Sequence, residues 1–402
     1  MFIHFAPNTW QDQEYDDHST PLAAIDPDID TDQWVSVARD LGARYVVFVA
    51  KHQGGFCMWQ TETSPYGIKE TLWKHGKGDV VADVAASCRR GNLGLGVYLS
   101  PRDDALGAGP AGRCPTSEQQ RRYNARYRRQ LTELLTRYGE MTEVWFDGSI
   151  AVPVCDIVHA HAPHAAVFQG PCATIRWVGN EDGFAPYPCW NALPGRAAVT
   201  GTATAKDSDP EGDSWLPSEV DVSIRRPNWF WSTRDDRNLL TVDQLLEIYY
   251  RSVGRGAQLL LNIPPDRTGH VAAGDAARAR EFGDEIRRRF GTSLGETHGQ
   301  GREVVLRLAS PSAVDHVVIE EDLRGGERVW AYRLAGLHDG TWRPLGEGTA
   351  IGHKRIQPVA PSLFDAVRLE VTRSTATPRI RRLAAFATGS APPPSWNEPD
   401  TH

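Results

Sequence analysis

The sequence predicts an α/β fold, a (β/α)8-like TIM barrel followed by a C-terminal β-sandwich. Three observations carry that prediction. Short apolar strands alternate with helical segments through the first two thirds of the 402 residues, the pattern of a parallel sheet covered by helices. The number of strand–helix units and the chain length favour a closed barrel over an open doubly wound sheet, and no GxGxxG or Walker loop follows any strand. After about residue 295 the texture changes to short alternating strands with turns between them, which is that of a small sandwich. The chain therefore divides into a barrel over 1–295, an accessory β-sandwich over 296–390 and a Pro-rich tail over 391–402 expected to be disordered.

The elements follow in order. "MFIHF" opens the chain as a strand, and "DTDQWVSVARDLGA" (30–43) is a capped amphipathic helix. "RYVVFVA" (44–50) is a fully apolar strand, "DVVADVAASCRRGN" (79–92) a helix and "LGLGVYLS" (93–100) a strand. A long helix (117–139) precedes "EVWFDG" (143–148), a strand that ends on a bare carboxylate, although strands disfavour Asp. A helix around "VCDIVHAHA" leads to "AVFQG" (166–170). Helix 241–256, strand 257–263 and helix 274–290 complete the barrel pattern. Residues 180–236 break the alternation: they are rich in Gly, Pro and Trp, and loops of that length in a compact domain are usually functional.

Composition narrows the function classes. Lys and Arg total 44 against 51 Asp and Glu, a net charge of −7 without a long basic run, so a nucleic-acid partner is not expected. No apolar run reaches membrane-spanning length, and no membrane partner is expected. The six Cys show no metal spacing and read as buried thiols; neither a metal nor another cofactor is expected. With no signal peptide the chain as given reads as cytoplasmic, but a strand beginning at Met1 points to a start or leader upstream and leaves secretion open. The 13 Trp hint at sugar binding through ring stacking.

In a parallel barrel, catalytic groups project from the C-terminal strand ends. Asp147 occupies one such end, with His4, His52, Gln53, Tyr98 and Asn262 at others. A mouth with a carboxylate, neutral hydrogen-bonders and many Trp, and with neither HExxH nor GxSxG in the sequence, suits a carboxyl pair acting on a glycoside. Donors such as His4, His52 and Tyr98 would hold the Asp147 charge. The second carboxyl must come from another loop. Glu181 and Glu219 are the candidates; Asp182, Asp213 and Asp221 rank lower because Asp beside Gly or Ser is ordinarily a solvated turn residue.

These residues resemble a known family. "FIHFAPNTWQDQEY", "AKHQGGFCMW", "GVYLSPRD", "VWFDG", "RWVGNEDGF", "WLPSEVDVSIR" with "WFW" after it, and "LLLNIPPDRTG" stand in the order found in glycoside hydrolase family 29, the α-L-fucosidases. The likeness spans Met1 to Gly269 and is strongest to the branch acting on α-1,3/1,4-linked fucose. The resemblance implies retaining hydrolysis, with Asp147 as nucleophile and Glu181 as acid/base. It also implies sugar contacts from His4, Glu14, His52, Tyr98, Trp145 and either Arg176 or Trp177. Glu219 and Asp221 would lie toward the leaving group. Phe5, Phe56 or Trp229 are the candidates for an apolar wall at the sugar methyl. Two departures stand out: "KHQGGF" replaces the usual "KHHDGF", placing Gln53 where His is usual, and "SPRDD" replaces "SPWD". The expected partner is a fucosylated oligosaccharide or glycoconjugate. Alternatives are the same scaffold acting on another sugar, or a silent carbohydrate-binding protein.

Overall fold

The computed structural model describes residues 1–397. Eight parallel strands form the barrel: Phe2–Ile3, Tyr45–Lys51, Gly94–Leu99, Glu143–Trp145, Ala166–Phe168, Arg176–Trp177, Ser218–Ser223 and Gln258–Asn262. The eighth pairs with the first, and a parallel bridge from Phe168 to Ile175 brings the fifth against the sixth, so the sheet all but closes.

Alternation along each strand sorts the side chains. In the second strand Val46, Phe48 and Ala50 face the helices, and all three are fully buried there. Val47 and Val49 point into the barrel, where they join Phe2, Tyr98, Trp145, Phe168 and Leu260. Full burial of each such side chain stabilises the fold by roughly 1.5–3 kcal/mol.

The principal helices are Thr31–Leu41, Val80–Gly91, Ser117–Arg137, Cys155–His161, Val242–Arg251 and Ala273–Phe290. Their starts follow from capping residues. Asp30 accepts from the Gln33 N–H, Asp79 from that of Ala82, and Thr116/Gln119 and Thr241/Gln244 form reciprocal boxes. The helix expected over 241–256 stops at Arg251, with Ser252 as its C-cap, and the chain then turns into the eighth strand. The link 169–175 after the fifth strand carries no helix. The sixth and seventh strands are joined by the irregular stretch 178–217, a flap holding a ribbon of Ala192–Leu193 with Ser214–Trp215.

The accessory region is a six-stranded antiparallel sheet spanning Gly295–Phe386, with strands longer than the sequence pattern suggests. "EVVLRLAS" and "VDHVVIEED" belong to a single strand, Glu303–Glu321, and "HKRIQPV" with "FDAVRLEVTRS" to another, Arg355–Ser374. Their pairing shifts register between Arg307 and Ser312 and again between Val314 and His316. Such bulges bend long strands and strengthen their twist, so one sheet can enclose its own core of Val314, Ile319, Leu334, Val367, Leu369 and Leu383. It docks on the barrel through Tyr250, Phe290, His316 and Phe386, with the Tyr250 hydroxyl 2.8 Å from His316 Nε2. Residues 391–397 of the expected tail lie along this junction. The Arg255 guanidinium donates to the Trp396 carbonyl at 3.0 Å, and Arg355 sits over the Trp396 ring. The remainder of that tail, 398–402, lies outside the described residues.

Candidate active site

The C-terminal strand ends surround a pocket of about 170 Å3. Phe2, His4, Glu14, Tyr15, His52, Gln53, Tyr98, Trp145, Asp147, Glu181, Pro227 and Trp229 line it. Clefts for drug-sized ligands run to roughly 300–1,000 Å3, so this one suits a single ring with its substituents. A larger cleft of about 650 Å3, lined by Met1, Arg44, Tyr45 and Gln258, opens among residues at the N-terminal ends of the strands. That end of such barrels serves stability.

The pocket floor is aromatic. Phe168 stacks on Trp145 with centroids 4.1 Å apart, Trp145 on Tyr98 at 5.0 Å, and Tyr98 on His52 at 5.8 Å. Asp147 continues the inward alternation of Glu143 and Trp145, which is why this strand ends in a carboxylate. Asp147 Oδ2 accepts two hydrogen bonds, from Gln53 Nε2 at 2.8 Å and from the Tyr98 hydroxyl at 2.9 Å. Among the described residues no hydrogen bond engages Oδ1, so one carboxylate oxygen is anchored and the other is free. Burial, and then the Asp147 charge, hold the Tyr98 hydroxyl well above its ordinary range, so it remains a donor.

The two histidines expected as donors to Asp147 do other work. His4 Nδ1 faces Asn262 Oδ1 at 2.8 Å. The Asn262 amide is oriented by its own donation to the Trp229 carbonyl (2.8 Å) and Ser223 Oγ (3.1 Å). His4 must therefore carry its proton on Nδ1, which leaves Nε2 as an acceptor. Burial, and then the neighbouring His52, push His4 well below its ordinary range, so the ring is neutral. Burial likewise lowers His52 to about 4, and its Nδ1 is a buried polar atom with no hydrogen-bond partner among the described residues. An unsatisfied buried nitrogen is costly, and here a ligand hydroxyl can satisfy it.

Glu14 arrives from the loop after the first strand and accepts the Trp229 N–H at 2.9 Å. Burial, and then the Glu181 charge, raise it to about 7, so near neutrality it can both donate and accept. Glu181 itself is half exposed on the flap, with the Arg226 guanidinium 3.6 Å away; Arg226 also grips Asp182 at 2.6 Å.

Several sequence candidates lie outside the pocket. Glu219 is inside the barrel beneath Trp145, accepting from its indole N–H at 3.1 Å and from the Tyr45 hydroxyl at 3.4 Å. It points inward one full alternation below Asp221, too deep to meet a leaving group. Asp221 is buried and takes the Trp177 indole N–H at 2.6 Å; burial and the Glu181 charge raise it to about 8. Trp177 thus stands beside the pocket and holds Asp221. Arg176 points away from the sugar space. Its guanidinium ties the flap together through the carbonyls of Thr204 (3.0 Å) and Trp190 (2.5 Å) and through Ser208 Oγ (2.8 Å). Of the expected apolar wall only Trp229 lines the pocket, because Phe5 packs on Trp10 and Trp34, and Phe56 on Tyr66.

Phe2, Tyr15 and Pro227 also line the pocket, and sequence reasoning missed them. Phe2 was open to detection, since it lies two residues before His4 on the same strand face.

The flap is pinned from the far side by the accessory sheet. Glu327 accepts from the Asn191 backbone N–H (3.0 Å) and side-chain amide (2.6 Å), while Asn191 Oδ1 takes the Ser218 N–H at the foot of the seventh strand. Arg355 lies 3.9 Å over the Tyr187 ring.

Comparison with known proteins bears on this pocket. The family model described as Alpha-L-fucosidase matches residues 3–288. The chain is 32% identical over 406 residues to Alpha-L-fucosidase 1 of Arabidopsis thaliana, covering 89% of this chain and 78% of that protein. A putative α-L-fucosidase from Bacteroides thetaiotaomicron superposes with a TM-score of 0.88 at 32% identity, covering 96% of this chain and 95% of the other. A Ruminococcus gnavus fucosidase solved in complex with fucose superposes with a TM-score of 0.83 at 27% identity, over 96% and 91% of the two chains.

Proposed function

The chain belongs to the α-L-fucosidase family of glycoside hydrolases, and from that premise we propose that it releases terminal α-1,3/1,4-linked fucose from glycans with retention of configuration. The observation that carries the proposal is Asp147. Its Oδ2 is fixed by two donors and its Oδ1 is free, in a one-ring pocket that Glu181 also lines.

In the first step Asp147 Oδ1 attacks the anomeric carbon and forms a glycosyl ester, while Glu181 protonates the departing oxygen. In the second step Glu181 takes a proton from water, the water adds to the anomeric carbon, and Asp147 leaves as carboxylate. Retention of this kind goes with carboxyls ~5–5.5 Å apart. Glu181 must be protonated for the first step, so the solvated contact with Arg226 gives way when the leaving-group sugar enters. His4 Nε2 accepts a sugar hydroxyl, His52 Nδ1 engages another, and Glu14 exchanges hydrogen bonds with the ring. The face of Trp229 meets the apolar edge that carries the C5 methyl. The linkage preference rests on the likeness of "RWVGNEDGF" and "SEVDVSIR" to the α-1,3/1,4 branch.

Asp147→Gly tests the mechanism. Turnover of 4-nitrophenyl fucoside is expected to vanish, and added azide to restore it with β-fucosyl azide as product. Near-normal activity without azide would defeat the assignment. For the linkage, Lewis a and Lewis x trisaccharides should be cleaved and 2′-fucosyllactose spared; the reverse order would refute it.

A further inference from the structure

The two departures from the family pattern meet in space. Gln53 Nε2 donates to Asp147 Oδ2 at 2.8 Å, and Gln53 Oε1 accepts from Arg102 Nη1 at 3.3 Å. The rest of the guanidinium is clamped by Asp104, with Nε to Oδ1 at 2.7 Å and Nη2 to Oδ2 at 3.0 Å. The backbones of the two loops are joined as well, Asp104 N–H to the Gln53 carbonyl at 2.9 Å and Ala105 N–H to that of Gly54 at 3.3 Å.

The glycines after Gln53 make this approach possible. A Cβ on Gly54 would lie 2.5 Å from Asp16 Cβ, and one on Gly55, at φ +91°, would lie 2.3 Å from Asp103 Oδ1. Asp16 thus brings a carboxylate into the space that a side chain at position 54 would fill. It is held there by the Tyr66 hydroxyl at 2.7 Å and Gln11 Nε2 at 2.8 Å.

Resting on the reading of Asp147 as nucleophile, we propose that Arg102 is a positioning residue that acts through Gln53. It fixes the amide with its N–H toward Asp147 and so holds the carboxylate with Oδ1 turned to the sugar. The physical basis is the two-fold ambiguity of a primary amide. Its oxygen and nitrogen ends are nearly isosteric, and a flip would set a carbonyl oxygen against the carboxylate. A cation on Oε1 opposes that flip. It also polarises the amide, which strengthens the N–H bond to Asp147. Gln53 carries no charge of its own, and Arg102 supplies one a residue further back.

A double-mutant cycle with kinetics on 4-nitrophenyl fucoside tests this. Charge-assisted hydrogen bonds of this kind are worth enough that Gln53→Ala should lower kcat by about 10-fold or more. Arg102→Ala should lower kcat by about 5- to 10-fold with KM within about twofold, since the substrate is not its partner. In the Gln53→Ala background, Arg102→Ala should cost less than about twofold, because the path to Asp147 is already cut. Arg102→Lys, which retains a cationic donor, should recover much of the loss. Arg102 is partly exposed at the rim, so thermal melts of all variants should stay close to wild type. Losses that multiply across the cycle, or an Arg102→Ala effect confined to KM, would overturn the proposal. Should Arg102→Ala fail to fold, Arg102→Gln in the same cycle distinguishes coupled from multiplicative losses equally well. Azide rescue of Asp147→Gly separates the two levels. Rescue with a multiplicative cycle sinks Arg102 alone, whereas absence of rescue sinks the nucleophile reading beneath it.

Discussion

Replacing Tyr98 with Phe removes one atom from the site and leaves its frame standing. The ring is buried between Trp145 at 5.0 Å and His52 at 5.8 Å, and Phe keeps both stacking contacts. What disappears is the 2.9 Å bond to Asp147 Oδ2, leaving Gln53 as the carboxylate's remaining donor. A hydrogen bond to a charged group contributes about 1.5–3 kcal/mol. At tenfold per 1.36 kcal/mol, the first chemical step should slow by about 10- to 150-fold. The attacking oxygen is left less well aimed, while the pocket that receives the sugar is unchanged, so the loss should fall on kcat more than on KM. Initial rates on 4-nitrophenyl fucoside over a range of concentrations give both constants. A circular-dichroism melt confirms the fold. A folded Tyr98→Phe variant within threefold of wild-type kcat would show that the bond to Oδ2 does not aim the nucleophile, and the mechanism would have to be rebuilt.

Three other outcomes are expected. Lys51 and Asp103 form a fully buried ion pair at 2.7 Å behind the His52–Gln53 loop, so Lys51→Met alone should destabilise by about 3–5 kcal/mol in urea unfolding. Lys51→Met with Asp103→Leu should regain most of that, and a harmless single change would contradict the pair's role. Glu14 favours its neutral form in the fold, so its contribution is full below pH 4.5 and is lost as pH rises through about 7. The rise from 4.5 to about 7 corresponds to about 3 kcal/mol. Glu14→Gln should therefore flatten the fall in unfolding free energy between pH 5 and about 7.5 by up to that amount, and parallel curves would refute the assignment. Glu327→Ala unties Asn191 from the accessory sheet. It should raise KM for oligosaccharides by several-fold while sparing the small aryl fucoside, and equal effects on both substrates would show that the tie does not shape the flap.

Much of this architecture was legible in the residues. The barrel followed from the alternation of apolar strands and capped helices, because capping boxes and strand runs are local signals. The mouth residues His4, Tyr98 and Asp147 followed from strand ends, where the inward alternation has period two and points each of them to the centre. His52, by contrast, is out of phase with Val47 and Val49 and reaches the mouth past an irregularity between Val49 and Lys51. Depth along a strand was harder to read. Glu219 and Asp221 share a face of the seventh strand, yet only coordinates show Glu219 sunk below Trp145, since level in a barrel depends on stagger between neighbours. The resemblance offered Arg176 or Trp177 as a sugar contact, and three acceptors in the flap hold the Arg176 guanidinium away from the pocket. The long bent strands of the accessory sheet were read as separate short ones because a bulge and a turn look alike without their pairing partners.

The row of stacked rings below Asp147 has a consequence for traffic. It plugs the barrel axis, so whatever enters must back out by the same doorway. The liberated monosaccharide then blocks the next arrival until it departs, and free sugar should inhibit competitively. A residue buried mid-chain in a glycan, with polymer extending from both ends, finds no exit for its second arm. On the proposed reading, such a blind end suits a protein that trims chain tips, one unit per visit.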